Sequence, residues 1–242
     1  MHLRPSPAPV WMLAGLMVCL SAGCQSTPPP SMPAVQGAAP AINADFMNPG
    51  MDPNSWVERF EREGREVYDH RHEIVTIVGL KPGARVADIG AGTGLFTFLF
   101  AEVVGPTGLV YAVDISPALV AHLRGRAAAS GDSPVVPVLG APDDPRLPPG
   151  SVDRVFLCDT YHHFEQPGPM LAAIHKALRP KGELVLVEFK RIPGVSSEWM
   201  LNHVRAGQEV FEAEIMSAGF RKVGEPLRLE DNYVTRFRRV SQ

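Results

Sequence analysis

The sequence has too little of several features to belong to some large classes of protein. Three cysteines in 242 residues cannot build a disulfide framework at this size. The 23 Lys and Arg residues do not outnumber the 26 Asp and Glu residues, so the basic excess typical of a dedicated nucleic-acid binder is missing. With 45% hydrophobic and 20% charged residues and a mean hydropathy of zero, the composition excludes a disordered chain, a fibre and a protein with many membrane spans. A globular α/β core remains.

The N-terminal segment is nearly free of charge. Arg4 is the only charged side chain before residue 45, and it precedes an uncharged apolar run over residues 10–22. A helix of that length covers about 20 Å, short of the ~30 Å hydrocarbon core of a bilayer. The run ends in Leu20-Ser21-Ala22-Gly23-Cys24, which resembles the lipobox of bacterial lipoproteins, with the leucine one position further from the cysteine than usual. We therefore predict a lipoprotein-type signal peptide over residues 1–23, with acylated Cys24 anchoring the protein to a membrane of the bacterial cell envelope; an uncleaved apolar anchor is the alternative.

Residues 24–53 are rich in proline and small residues and show no hydrophobic periodicity. Such a stretch has too little apolar surface to offset the entropy of ordering, so we predict an extended, solvated tether. Cys19 would leave with the signal and Cys24 would be acylated, which leaves Cys158 in the core. The predicted domain over residues 54–242 therefore needs no oxidising compartment to fold.

From residue 54 onward, runs typical of helices alternate with runs typical of buried strands. Strands are predicted over residues 85–89, 109–114, 135–139, 152–157 and 183–189. A first helix is predicted to start at Asn54 or Ser55 and to reach Tyr68, and a second lies around residues 74–78. Further helices are predicted over residues 95–104, 117–130 and 170–178. Strand–helix alternation with continuous apolar strands indicates a parallel sheet covered on both faces, with the functional loops at the carboxyl ends of the strands.

The last part of the chain follows a different pattern. A helix over residues 208–218 precedes two strands, over residues 220–229 and 232–240, and so short a connection can join only antiparallel neighbours. We therefore predict a doubly wound, mostly parallel sheet of seven strands whose last strand is antiparallel.

A glycine-rich turn follows the first predicted strand, in Val86-Ala87-Asp88-Ile89-Gly90-Ala91-Gly92-Thr93-Gly94. Glycines allow positive φ and let the backbone come close to a ligand. A dinucleotide-binding loop has the spacing G-x-G-x-x-G, and its third glycine would fall at position 95, where this chain has Leu95. Asp88, shortly before the first glycine, suits a ligand that carries positive charge. A nicotinamide-dependent oxidoreductase is therefore disfavoured.

The motif Asp88-x-Gly-x-Gly-x-Gly, with Asp114 at the end of the next strand, resembles the class I S-adenosylmethionine-dependent methyltransferases over about residues 54–240. The resemblance assigns cofactor binding to Asp88, Gly90, Gly92, Gly94, Asp114 and Ile115. It implies that Asp88 bonds towards the amino group of the cofactor and that Asp114 accepts both ribose hydroxyls. Two cis hydroxyls are in any case matched by two carboxylate oxygens, although Asp114 would alternatively only cap the helix from residue 117.

Later segments resemble the same family. Residues 139–148 resemble the loop whose acid contacts the adenine amino group, a role for which Asp143 is favoured over Asp144. Residues 153–156 resemble the fourth strand, after which Asp159 is a further cofactor candidate. Residues 178–184 resemble the turn before the fifth strand, with Lys181 where the family has a glycine.

Candidates for chemistry follow the fourth strand. In this family that loop faces the transferable methyl group, so Tyr161, His162 and His163 are the predicted catalytic residues. Either histidine would be a proton acceptor for a hydroxyl or amine, or a structural residue bonded to backbone. No second His or Cys pair stands at ligand spacing, so no metal site is predicted. Residues flanking the fifth strand are predicted to line a substrate pocket: Glu188, Lys190, Trp199, Asn202, His203 and Arg205.

The predicted function is methyl transfer from S-adenosylmethionine to a small-molecule acceptor, with no nucleic-acid partner. The rival is a membrane-tethered, non-catalytic module that binds a nucleoside or S-adenosylmethionine. It arises because this cofactor is made in the cytoplasm, whereas a lipobox implies export.

Overall fold

A seven-stranded sheet in the order β3-β2-β1-β4-β5-β7-β6 forms the centre of the fold. The computed structural model describes residues 1–2 and 37–240, so the predicted signal run, Cys24 and the part of the predicted tether before residue 37 lie outside the described residues. The strands are β1 (Arg85–Ile89), β2 (Leu109–Asp114), β3 (Val135–Leu139), β4 (Val152–Cys158), β5 (Leu178–Phe189), β6 (Phe220–Arg228) and β7 (Asn232–Arg239). β1 to β5 pair in parallel, and β7 runs antiparallel to both β5 and β6. The predicted fold class is confirmed.

Helices cover both faces of the sheet. They are α1 (Ala44–Met47), α2 (Pro53–Phe60), α3 (Glu66–Asp69), α4 (Arg71–Val78), α5 (Leu95–Val104), α6 (Pro117–Ala129), α7 (Pro167–Ala177), α8 (Glu198–His203) and α9 (Gln208–Ser217), with 3-10 turns at Pro40–Asn43 and Tyr161–His163. Among the described residues, no helix is both long and apolar enough to cross a membrane.

Successive residues of a strand point to opposite faces of the sheet and so belong to two separate hydrophobic cores. In β4, Val155 and Leu157 join the cluster under α7 and α9, whereas Phe156 points to the other face and packs on Phe100 of α5 at a ring distance of 5.1 Å. Burial on both faces explains why the parallel strands are largely apolar. This packing fixes the carboxyl ends of β1, β2 and β4 as one rigid edge.

The N-terminal helices differ from the prediction in two ways. The helix expected to run to Tyr68 ends at Phe60, and its cap is Asp52, whose side chain accepts the Asn54 N–H at 3.0 Å. A loop over residues 61–65 follows, in which Gly64 has a φ of 82°. The break turns Arg65 inward, so that it reaches Asp159 beyond β4.

Residues 37–48, which fall in the predicted tether, contact the domain instead of extending from it. The Ala38 N–H donates to the Phe164 carbonyl at 2.8 Å. The Asn43 amide donates to the His163 carbonyl at 3.1 Å, and Phe46 lies against Trp56 at a ring distance of 4.6 Å. The extended conformation predicted for this part is therefore wrong, because a few side chains dock it onto the turn after β4.

Candidate active site

The glycine loop joins β1 to α5 at the carboxyl edge of the sheet. The φ angles of Gly90, Gly92 and Gly94 are 73°, 56° and 96°, all in the left-handed region. An added Cβ at Gly90 would lie 2.3 Å from the Thr160 side chain, so glycine is required there by the turn after β4. An added Cβ at Gly92 would meet nothing nearer than the Phe60 ring at 3.8 Å. The loop thus packs tightly at Gly90 and leaves free space at Gly92.

Asp114 ends β2 and faces this loop. Its Oδ2 accepts the Gly92 N–H at 2.9 Å, and its Oδ1 accepts the Ser116 N–H at 2.9 Å. Burial raises the pKa of Asp114, although these hydrogen bonds counteract part of the effect. The cap of α6 is Ser116, whose hydroxyl accepts the Leu119 N–H, so Asp114 is not the helix cap. Each carboxylate oxygen keeps acceptor capacity for a ligand.

Asp88 lies beneath the glycine loop. It is 3% exposed, and the Thr97 hydroxyl donates to its Oδ2 at 2.6 Å. Burial raises its pKa to about 7, and the charge of nearby Asp114 adds to this effect. A carboxyl in this state gains from a cationic partner, which is the role predicted for Asp88.

A cavity of about 690 Å³ opens at the carboxyl edge, between β1 and β4, where the strand order reverses. The polar half of its lining consists of predicted cofactor residues: Asp88, Gly90, Gly92, Asp114, Ile115 and Asp159. The aromatic half consists of residues with rings: Phe46, Trp56, Phe60, His162, His163, Phe189, Trp199 and His203. A ligand-sized space is therefore lined by both kinds of residue.

Three of the predicted cofactor residues have other roles or positions. Gly94 lies outside the cavity lining and packs against Leu123 and Phe98 at the start of α5. Asp143 is exposed and does not line the cavity, although its neighbour Pro142 does. Asp159 lines the cavity, but its carboxylate is held by Arg65 at 2.8 Å and by the Asn232 amide at 2.8 Å. Its φ of 48° is a strained conformation for a residue other than glycine.

Tyr161 is not in the cavity, which corrects its prediction as a catalytic residue. Its side chain is fully buried, packs edge-on against Phe211 at 5.0 Å, and donates its hydroxyl to Glu214 at 2.9 Å. Arg205, predicted to line a substrate pocket, binds the same Glu214 carboxylate at 2.6 Å and is absent from the cavity lining. Burial raises the pKa of Tyr161 further, so its hydroxyl stays protonated.

His162 and His163 both reach the cavity. His162 is 1% exposed, and its Nδ1 lies 2.8 Å from Oε1 of Glu188 on β5. Its Nε2 is buried and has no hydrogen-bond partner among the described residues. Burial lowers the pKa of His163 to about 2, so this imidazole is neutral throughout the physiological range and is a poor proton acceptor.

Two of the residues predicted to flank a substrate pocket line the cavity. Trp199 and His203 lie on α8 and stack on each other at 4.5 Å with an interplanar angle of 20°. The rings of His162 and His203 are 5.0 Å apart, and those of His163 and His203 are 5.2 Å apart. Sequence spacing missed this group of three because His203 follows His163 by a whole strand and helix.

Five cavity residues that come from before β1 were not predicted as site residues: Asn43, Phe46, Trp56, Phe60 and Arg65. Asn43 and Phe46 fall in the predicted tether, and the other three fall in the helix predicted from residue 54. Trp56 and Phe60 are four residues apart and share one face of that helix, which is the one signal the sequence offers for them.

An open, mostly parallel sheet, a glycine loop after its first strand and an acid at the end of its second are features that this chain shares with the class I methyltransferases, whose cofactor is S-adenosylmethionine. Residues 87–186 match the family described as "Methyltransferase domain". Over these residues, less than half of its length, the chain is therefore similar to methyltransferase domains.

Similar proteins carry methyltransferase names. Nocamycin O-methyltransferase from Saccharothrix syringae is 33% identical over 137 residues, which cover 57% of this chain and 49% of that protein. The ubiquinone/menaquinone biosynthesis C-methyltransferase UbiE from Ectopseudomonas mendocina is 33% identical over 122 residues, 50% of this chain and 47% of that protein. The chain thus spans about half the length of these curated relatives.

Solved structures share the fold. A SAM-dependent methyltransferase from Aquifex aeolicus superposes with a TM-score of 0.69 at 22% identity, covering 78% of this chain and 99% of that one. Phosphoethanolamine N-methyltransferase 2 from Haemonchus contortus, solved with S-adenosyl-L-methionine, has a TM-score of 0.66 at 16% identity and covers 83% of this chain and 60% of that one. At these identities the likeness shows the fold alone.

Proposed function

We propose that this protein transfers the methyl group of S-adenosylmethionine to a small, largely apolar acceptor. The observation that carries the proposal is the single cavity that joins the glycine loop and Asp114 to a wall of aromatic and imidazole rings. The names of the relatives support a small-molecule acceptor, since they refer to nocamycin and to the biosynthesis of ubiquinone and menaquinone.

The polar half of the cavity fits the cofactor. Asp114 presents two oxygens to a ribose diol, and Asp88 presents a buried carboxyl to a cationic amino group. The open space at Gly92 lets a ligand approach the backbone there. When bound, S-adenosylmethionine supplies a methyl group on a sulfonium, so the protein needs mainly to align the acceptor with it.

The aromatic half fits the acceptor. Phe46, Trp56 and Phe189 exclude water from a flat apolar molecule. Among the predicted catalytic residues, His162 has a buried Nε2 without a partner in the described residues that would accept a hydrogen bond from the acceptor, because Glu188 accepts its Nδ1 proton.

The cellular setting belongs to the same proposal. We propose that residues 1–23 are a lipoprotein-type signal, that Cys24 carries the lipid anchor and that the domain works at a membrane of the bacterial envelope. The support is the sequence Leu20-Ser21-Ala22-Gly23-Cys24 after a short apolar run. Metabolic labelling with a fatty acid tests it, since Cys24→Ser should abolish incorporation and Cys158→Ser should not.

Thermal unfolding of the purified full chain tests cofactor binding. S-adenosylmethionine at 100 times its Kd adds about 2.7 kcal/mol, which should raise Tm by roughly 5–10 °C. Asp114→Ala should lose this shift, whereas Asp132→Ala should keep it. The control removes the same carboxylate at an exposed position that does not line the cavity.

The outcomes separate the rival functions. A Tm that does not move at millimolar S-adenosylmethionine contradicts the proposal. A shift with reduced nicotinamide cofactor instead would favour an oxidoreductase. Transfer of radioactive methyl from S-adenosylmethionine to a reduced demethylmenaquinone analogue or to a phenol distinguishes an enzyme from a module that only binds the cofactor.

A further inference from the structure

Three imidazoles meet at the acceptor side of the cavity, and we refer to His162, His163 and His203 as the three-histidine cluster. The first two lie on the 3-10 turn after β4, and the third is the last residue of α8. One ring nitrogen from each lies within 4.8 Å of the others. This convergence needs a physical reason, because no group among residues 37–240 bonds to all three nitrogens.

The second nitrogen of two of these rings is already fixed. Glu188 accepts the Nδ1 proton of His162 at 2.8 Å, because a carboxylate can only accept. At His163 the partner is Oδ1 of Asn43, at 3.1 Å. The orientation of this amide is determined because its Nδ2 donates to the His163 carbonyl and to Glu165. Both imidazoles therefore carry the proton on Nδ1 and a lone pair on Nε2.

This arrangement is typical of metal-binding histidines, which donate their other nitrogen to a carboxylate or an amide oxygen. The Nε2 of His162 is buried without a partner among the described residues, an expensive state for a polar atom unless a ligand occupies it. His203 has no side-chain hydrogen bond in the described part of the chain, and its ring is positioned by stacking on Trp199.

We infer that the three-histidine cluster binds one divalent transition metal ion, with zinc as the best match. Three imidazoles suit zinc, which takes three protein ligands and leaves a fourth position open in its catalytic sites. Zinc–nitrogen bonds of about 2.0–2.1 Å bring tetrahedral ligand atoms to about 3.3 Å from one another, so the cluster must contract by up to about 1.5 Å. His203 is the ligand to move, because it is half-buried and ends a helix of six residues.

The open position would face the cavity. There a zinc ion would bind the acceptor through an oxygen or sulfur atom and favour its deprotonated form. This part of the inference rests on the proposed function and narrows the acceptor to a molecule with a hydroxyl, enol or thiol group. Coordination uses the same His162 lone pair that would otherwise accept a hydrogen bond from the acceptor.

Metal titration of the purified full chain, first dialysed against a chelator, tests the inference directly. We expect one equivalent of Co²⁺ to give the visible absorption bands of a tetrahedral site, and Zn²⁺ to displace it. His203→Ala and His163→Ala should each weaken binding at least 100-fold. His72→Ala, at an exposed histidine of α4 remote from the cavity, should leave binding unchanged.

A second variant tests the outer contact. Glu188→Gln keeps an oxygen acceptor for His162 but removes its charge, and it should weaken metal binding about 10–100-fold. His203→Ala breaks no side-chain hydrogen bond in the described residues, so it should fold, and its Tm shift with S-adenosylmethionine verifies that it has.

Each outcome decides one proposal. Absence of saturable Co²⁺ binding, or binding that survives both His203→Ala and His163→Ala, overturns the metal site. If the protein binds S-adenosylmethionine but not Co²⁺, only the metal site is refuted. If it binds Co²⁺ but not S-adenosylmethionine, only the proposed function is refuted.

Discussion

Asp88 should make the protein less stable as the pH rises, and Asp88→Asn should remove that penalty. The folded protein raises the pKa of this carboxyl from 3.8 to about 7, so the folded state holds its proton more tightly than the unfolded state. The penalty is absent below pH 3.8, grows as the pH rises to 7 and is constant above that. This rise in pKa from 3.8 to about 7 lowers the free energy of unfolding by about 4 kcal/mol at full ionisation.

Urea unfolding at two pH values measures this effect. Linkage predicts that Asp88→Asn gains about 2–3 kcal/mol more unfolding free energy, relative to wild type, at pH 8 than at pH 5. Comparing the two pH values cancels any constant effect of the amide on packing or on the hydrogen bond from Thr97. Asp132→Asn, at an exposed position, is the control and should show no such difference.

Ligand binding should show the opposite preference. A cationic amino group favours the ionised carboxyl, so the affinity for S-adenosylmethionine should fall about 10-fold per pH unit below pH 7 in the wild type. Asp88→Asn should bind weakly at every pH, without this slope. A variant that is stabilised equally at pH 5 and pH 8 would refute the buried-carboxyl argument, and unchanged affinity would refute the contact with the cofactor.

Three further substitutions are assayed by urea unfolding. Gly90→Ala should lower the free energy of unfolding by roughly 3 kcal/mol, because the alanine would have a φ of 73° and a Cβ 2.3 Å from a threonine side chain. A loss below 1 kcal/mol would contradict this close approach. Tyr161→Phe should lower the free energy of unfolding by about 1–2 kcal/mol, because it removes the hydrogen bond to Glu214. The affinity for S-adenosylmethionine should stay the same, and a loss of affinity would indicate that Tyr161 belongs to the binding site after all. Glu183→Gln should lower the free energy of unfolding by about 1–2 kcal/mol, because this buried carboxylate pairs with two partly exposed arginines of β7. Unchanged stability would show that hydration of the arginines compensates for the loss of both ion pairs.

The parallel part of the sheet was predictable because its strands are largely apolar runs bounded by turn residues. The bounds of β1, β2 and β3 coincide with those predicted, since burial on both faces leaves these strands mostly apolar. The start of β5 was not predictable. Lys181 adopts a φ of 66° where the family has a glycine, and the strand begins at Leu178, before that turn rather than after it.

The sequence predicted that the three residues after β4 belong to the site, but it did not predict where each side chain points. A 3-10 turn rotates successive residues by about 120°, so three neighbours point three ways. Tyr161 enters the core, His162 turns towards Glu188, and His163 turns towards the segment before α1. The sequence therefore identified the correct turn but misplaced one of its three residues. The burial of Tyr161 against α9 could be seen only in the structure.

The N-terminal segment shows why the site was harder to predict than the fold. Residues 37–48 form helices of four residues, too short to have an amphipathic period, and their composition is that of a solvated linker. Their attachment depends on single contacts such as those of Asn43 and Phe46 with the turn after β4. These contacts also fix the tautomer of His163. The segment predicted as a passive tether thus determines which nitrogen the candidate metal site presents, a role that no local pattern encodes because its partner lies 120 residues later in the chain.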